Sequence, residues 1–176
     1  METARALAHA MVARGLGLVY GGGSVGLMGA VADAVLAEGG EAIGVLPRGL
    51  ARKEFAHAGL TELHLVRSMH ERKALMASLS DGFLALPGGL GTLEEVFEVL
   101  TWSQLGIHRK PVGLVDVRDY WAGLLTLLRH AVDEGFIRPE YAGLLLVDTS
   151  PATLLDRFLA WRPPAGASIW LDPTET

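Results

Sequence analysis

The residues 86–95, LPGGLGTLEE, run from an apolar stretch through a glycine-rich turn into an acidic helix start. Pro87 stiffens the exit from the apolar run, while Gly88, Gly89 and Gly91 permit positive φ and close approach of the main chain to a ligand. Thr92 adds a hydroxyl where the free N–H groups of a helix start favour negative charge. The chemistry this suits is the holding of a phosphate. A tight turn with no ligand is the plainer reading, but one glycine would suffice for that. Two carboxylates follow, Glu94 and Glu95. Neighbours on a helix point about 100° apart, so at most one faces a pocket squarely. Glu95 stands at capping-box distance from Thr92, a role worth about 1 kcal/mol. The same position also places a carboxylate to touch a sugar or a water.

A second chemical stretch is SMHERKALM, residues 68–76. Ser68 and Glu71 have capping-box spacing, so a helix starts there with Arg72 and Lys73 in its second turn. Cations near a helix start oppose its dipole, and a solvated face is their usual setting. A bound anion would remove the conflict, and the planar fork of Arg matches phosphate or ribose oxygens. His70 reads as a surface or hydrogen-bonded histidine. No H-E-x-x-H, EF-hand or paired-histidine spacing occurs, so neither a protein-held metal nor a resident cofactor is expected.

The third stretch, GGGSVGLMG at 21–29, satisfies G-x-G-x-x-G through Gly21, Gly23 and Gly26. Dinucleotide binding would want an acid near the end of the next strand, and that strand ends Leu46-Pro47-Arg48. The residues Gly22, Ser24 and Gly26 also fit G-x-S-x-G, with Asp116 and His130 as nominal partners. Almost nothing precedes this turn, however, whereas a nucleophile elbow follows several strands. What remains is a glycine turn with Ser24 capping a helix, an arrangement compatible with phosphate contact through Gly22, Gly23 and Ser24.

These turns need a scaffold. Apolar runs at 16–20, 42–46, 62–66, 82–86, 111–117 and 144–147 read as strands. Segments at 2–14, 25–38, 69–79, 93–105, 120–134 and 151–160 have helical period, the last with Ser150 before Pro151 as cap and first residue. The strands are continuously apolar, the mark of burial on both faces. The expectation is α/β: a three-layer, Rossmann-like, doubly wound parallel sheet with helices on both faces, forming one domain over 1–162. The proline-rich tail 163–176, with Ile169 and Trp170, is expected to be extended. Apolar residues on the 93–105 helix exceed one face: Leu93, Val96, Phe97 and Leu100 point inward, leaving Trp102, Leu105 and Ile107 for core packing, a subunit contact or a ligand wall.

The 176 residues are 50% hydrophobic and 20% charged, enough for one core, with net charge −5. That charge disfavours nucleic acid and anionic membranes as partners. No run is long enough to span a bilayer. There are no cysteines, which fits a cytoplasmic setting and excludes disulfides and thiolate metal sites.

SMHERKALM followed by LPGGLGTLEE closely resembles the signature of the LOG ("Lonely guy") family, cytokinin riboside 5′-monophosphate phosphoribohydrolases that are often labelled as lysine decarboxylases. LVYGGGSVGLMG and TWSQLGIHRKPVGLVDV are similar to that family's segments in the same order, so the resemblance covers roughly 4–160. It implies hydrolysis of the N-glycosidic bond of N6-modified AMP to free base and ribose 5-phosphate. By the same resemblance Arg72 and Glu95 match the catalytic pair. Gly88, Gly89, Gly91 and Thr92 match the phosphate loop, and Met69 and Lys73 match positions lining the nucleotide site. A homodimer with sites near the interface is implied as well. Family members start with a strand and a Gly-Ser-rich loop, and nothing here corresponds to them, so the sheet is expected to lack that strand.

Amino-acid decarboxylation normally needs pyridoxal phosphate on a lysine, and among Lys53, Lys73 and Lys110 only Lys73 lies near a phosphate loop. A non-catalytic nucleotide- or cofactor-carrying module would use the same loops, since fold does not fix function. Such a binder has no need of a carboxylate at the sugar.

Overall fold

The computed structural model describes residues 1–51 and 56–163. Most of the expected tail, with Ile169 and Trp170, lies outside the described residues, as does Lys53. The chain forms two compact units, Met1–Ser80 and Asp81–Thr176.

In the first unit the order is α1 (Glu2–Val12), β1 (Leu18–Tyr20), α2 (Gly26–Ala37), β2 (Ala42–Pro47), α3 (Arg48–Ala51), β3 (Glu62–Val66) and α4 (Met69–Leu79). The strands pair in parallel in the order β1-β2-β3, with Leu18 beside Ala42 and Ile43 beside Glu62. As the middle strand, β2 buries Val45 and Leu46 completely, which is why its sequence is apolar throughout. Ala4, Leu7 and Ala8 of α1 and Val31, Ala32 and Val35 of α2 are buried, and the two helices pack on each other through these small side chains.

The start of α4 is fixed twice. The Ser68 hydroxyl accepts from the Glu71 N–H at 3.1 Å. The Glu71 carboxylate accepts from the Arg67 N–H at 2.8 Å, one residue before the partner a regular capping box would use. That backbone bond, with the Arg67 charge beside it, holds the Glu71 carboxyl below its usual range.

The second unit contains β4 (Phe83–Ala85), α5 (Leu90–Leu105), β5 (Val112–Val115), α6 (Ala122–Asp133), a 3-10 turn (Pro139–Leu144), β6 (Leu145–Asp148) and α7 (Pro151–Leu159). Its strands are parallel in the order β4-β5-β6, with Phe83 beside Val112 and Val112 beside Leu145. Every residue of β5 is buried. Val96, Leu114 and Trp121 form a core cluster, and burying each such side chain contributes about 1.5–3 kcal/mol. Gly113 lets α7 lie on β5: a Cβ there would stand 2.6 Å from the Phe158 ring. Ser150 caps α7 as expected, accepting from Thr153 N–H at 3.3 Å, with Pro151 at the first helical position. At the other end of α5, Gly106 takes φ 81° and Ile107 N–H bonds back to Trp102, a glycine-terminated stop.

The α/β class and all six strands appear where the apolar runs placed them, with each end within two residues of its expected position. Each strand pair is parallel, as expected, but burial on both faces does not hold for every strand: β5 is buried throughout, whereas the edge strand β3 exposes Glu62, Leu63 and Leu65. Two short elements, α3 and the 3-10 turn, had no periodic pattern long enough to announce them. Among the described residues no helix is long and apolar enough to cross a membrane.

Candidate active site

Arg72 is the most unusual charge in the first unit. Its side chain is only 8% exposed. One guanidinium nitrogen donates to the Gly21 carbonyl at 3.1 Å, and another lies 3.8 Å from the Met69 sulfur. Nε is buried without a hydrogen-bond partner among the described residues. Burying a cation is costly without hydrogen bonds and counter-charge, and an anionic group at this guanidinium would offset that cost. Its position depends on Gly21, because a Cβ at that residue would fall 1.8 Å from the guanidinium. Capping of α4 explains the rest: once Ser68 sets the first turn, Met69 and Arg72 share one helical face at i, i+3. Lys73, the next residue, is half-buried.

The first glycine turn is thus joined to α4 through Arg72. Gly22 and Gly26 use left-handed backbone, φ 75° and 67°. Ser24 is exposed and does not cap α2: the N-cap is Val25, with no side-chain cap bond. Gly29 brings the Ser24 carbonyl so close that a Cβ there would stand 2.1 Å from its oxygen. The Ser24 backbone therefore packs closely against α2 at Gly29. Tyr20, immediately before, has a buried hydroxyl without a partner among the described residues, and burial, with Asp33 nearby, pushes its pKa up to about 12.

In the second unit α5 begins at Leu90 with Gly89 as N-cap, three residues before the expected start. The proposed Thr92–Glu95 capping box is therefore incorrect. Thr92 sits inside the first turn and Glu95 in the second, and no side chain caps the helix. Glycine is an acceptable N-cap, which is why the spacing misled. The expected positive φ is not used either: Gly88, Gly89 and Gly91 are not among the left-handed residues. Their value is clearance. A Cβ at Gly88 would lie 2.2 Å from the Thr92 hydroxyl oxygen, so Gly88 and Thr92 are packed together. At Gly89 and Gly91 a Cβ would meet nothing within 4 Å. An uncapped helix start beside such open space offers N–H groups to an anion. Glu95 is half-buried one turn further on.

Of the residues expected inward on α5, Leu93, Val96 and Leu100 pack on the core, but Phe97 is 40% exposed, and Val99 and Ser103 are buried in addition. Trp102, Leu105 and Ile107 are half-buried. Asp116, the nominal acid of a nucleophile elbow, accepts the Trp121 N–H at 3.2 Å. No group of three metal-ligating side chains is assembled among the described residues.

The predicted residues thus fall into two sets: Gly22, Gly23, Ser24, Met69, Arg72 and Lys73 on the first unit, and Gly88, Gly89, Gly91, Thr92 and Glu95 on the second. Two contacts escaped the sequence. Gly21, named there only as a motif glycine, seats Arg72, and Tyr120, not singled out at all, donates its hydroxyl to the Gly88 carbonyl. Tyr120 follows Arg118 and Asp119, non-glycine residues at φ 55° and 57°. That region costs an L-residue about 1–2 kcal/mol. Neither contact has a local sequence signal, since the partners lie 51 and 32 positions apart.

By fold this is a Rossmann-like α/β protein. A solved structure of a molybdenum cofactor carrier protein from Chlamydomonas reinhardtii aligns with TM-score 0.68 over 91% of this chain and 88% of that one. Identity is 23%, so that likeness speaks for the fold alone. Residues 28–158 match the family model described as possible lysine decarboxylase. The cytokinin riboside 5′-monophosphate phosphoribohydrolase LOG7 of Arabidopsis thaliana is 54% identical over 162 residues, 92% of this chain and 75% of the relative. The cytokinin riboside 5′-monophosphate phosphoribohydrolase of Rhodococcoides fascians is 52% identical over 147 residues, 83% and 74% of the two chains. The chain belongs to this family, the LOG family.

Proposed function

We propose that this protein is an N-glycosidase that hydrolyses N6-modified adenosine 5′-monophosphate to free base and ribose 5-phosphate. The observation that carries the activity is identity of about half, over most of the chain, to plant and bacterial relatives bearing that name. The carrier alternative loses ground beside it, because the carrier structure resembles this chain in fold only.

The proposed mechanism follows from what the bond demands. As the C1′–nitrogen bond breaks, its electron pair leaves with the base and positive charge develops on the ribose. Glu95 orients a water toward C1′, takes its proton and stabilises the cationic sugar. The water oxygen becomes the C1′ hydroxyl of ribose 5-phosphate, and the proton taken by Glu95 passes on, directly or through water, to the departing base nitrogen. Arg72 holds polar oxygens of the nucleotide, with Met69 and Lys73 beside it. The open amides around Gly89 and Gly91, with Gly88 and Thr92, bind the 5′-phosphate, and Gly22, Gly23 and Ser24 give further main-chain contact. Such a loop makes the monophosphate the preferred substrate over the riboside.

A homodimer is part of the proposal. Leu90 and Phe97, seven residues apart on α5, are 85% and 40% exposed, an apolar stripe suited to a second copy of the chain. We take the setting to be cytoplasmic on the cysteine-free composition.

The deciding experiment incubates the protein with N6-isopentenyladenosine 5′-monophosphate and with AMP, and separates the products by chromatography. Free base and ribose 5-phosphate in equal amounts are expected from at least one. Tight binding of both nucleotides without base release would overturn the hydrolase reading and restore the carrier.

A further inference from the structure

We propose that Tyr120 is a positioning residue for the phosphate loop, an inference that rests on the site reading above. Its hydroxyl donates to the Gly88 carbonyl. That carbonyl belongs to the same planar trans amide as the Gly89 N–H, and the two point in opposite directions. Holding one therefore aims the other. Gly89 is the N-cap of α5 and borders open space, so the amide aimed in this way is one that a phosphate would meet.

The tyrosine is itself held. Its ring meets Trp121 edge-on, with centroids 4.9 Å apart and planes at 88°. Trp121 is fixed behind it by bonds from its indole to the Val115 carbonyl at 3.1 Å and from its N–H to Asp116 at 3.2 Å. Arg118 and Asp119, in left-handed backbone, turn the chain immediately before the ring. Tyr120 is 50% exposed, so core burial does not account for an aromatic residue here. The feature left to explain is the hydroxyl, which reaches a loop 32 positions away. Preorganised donors stabilise charge without reorganising at the moment of reaction, and a fixed peptide plane is the simplest form of such preorganisation.

Tyr120→Phe removes the hydroxyl and keeps the ring. Wild type and variant are assayed on N6-isopentenyladenosine 5′-monophosphate and on the corresponding riboside. The KM for the monophosphate is expected to rise about tenfold, the effect of one charge-assisted hydrogen bond, with kcat little changed. For the riboside, kcat/KM should stay at the wild-type value. Equal losses on both substrates, or an unchanged monophosphate KM, would overturn the role of Tyr120. The underlying site reading is checked separately in the wild type and in Thr92→Val. If the wild type does not prefer the monophosphate, or Thr92→Val keeps a normal KM, the loop reading fails and this inference with it. A wild type that prefers the monophosphate beside a Tyr120→Phe that retains the preference overturns only the inference. Should Tyr120→Phe not fold by circular dichroism, Tyr120→Met, which also lacks the donor, is measured against the same two outcomes.

Discussion

A methyl group added at Gly21 would lie 1.8 Å from the Arg72 guanidinium, whereas one added at Gly89 would meet nothing within 4 Å. Both glycines follow a strand and precede a helix, in turns of similar composition. In the first turn the missing side chains make way for the protein's own groups: Arg72 at Gly21 and the Ser24 carbonyl at Gly29. In the second, Gly88 makes way for Thr92, while at Gly89 and Gly91, as at Gly26 of the first, an added Cβ would meet nothing within 4 Å among the described residues. Glycine-rich turns therefore carry two different messages. One is clearance for the protein's own groups, and the other is open space, which at Gly89 and Gly91 is where the proposed phosphate would sit. Motif matching reads both as phosphate binding, and only packing tells them apart.

The sharpest break of this contrast is at the residue the open turn serves. Glu95→Gln should lose on the order of 10²–10⁴ in kcat while folding normally, the range for an acid–base group. Near-normal turnover would leave Glu95 without a chemical role. Next in size is Gly21→Ala. The flexible guanidinium gives way, so stability should change little, but kcat/KM should fall about 100-fold. If displacement of Arg72 is the cause, Gly21→Ala in an Arg72→Ala background should add almost nothing, which a double-mutant cycle reads directly.

Within the second turn the two messages separate by substitution. Gly88→Ala must push Thr92 aside and should destabilise by about 1–3 kcal/mol in urea unfolding. Gly89→Ala should leave stability within about 0.5 kcal/mol and instead raise the monophosphate KM. The reverse pattern would mean that the open side of the loop is never occupied.

The smallest expected effect is a pH dependence that differs between the units. In the second, His108 Nδ1 accepts from the Lys110 N–H at 3.1 Å and Nε2 donates to the Val99 carbonyl at 2.9 Å, so the ring is neutral in one tautomer. Burial pushes its pKa below the usual histidine value. The unfolded chain therefore takes up the proton more readily. The contribution is complete above about pH 6.5 and is lost as pH falls from there through the lower folded value. In the first unit Glu71, with its carboxyl also held low, keeps its contribution until pH falls below the ordinary carboxylate range. Urea midpoints measured from pH 7.5 to 5.5 should decline in the wild type and decline less in His108→Gln.

Most of the scaffold was legible because strands buried on both faces must be continuously apolar, and β2 and β5 are. Caps at Ser68 and Ser150 were legible because their hydroxyls act within three residues. The start of α5 was not. Thr92 and Glu95 imitate a cap, and the true one, Gly89, contributes no side chain to recognise. Phe97 was placed inward by type, yet helix geometry turns Val96 and Val99 to the core. At the site, residue types and spacing singled out Arg72 and the glycines, but not that Arg72 is buried against Gly21 or what each glycine accommodates. Gly21 to Arg72 and Gly88 to Tyr120 are decided by tertiary packing, which has no period and no motif.

Arg118 and Asp119 have a further consequence. Both hold mirror-image backbone that glycine or asparagine would adopt more comfortably. Selection for heat resistance and selection for turnover would then pull these two positions apart, the first toward relaxed residues and the second toward whatever keeps the adjoining aromatic ring in place. Endurance and grip would then compete at a single bend.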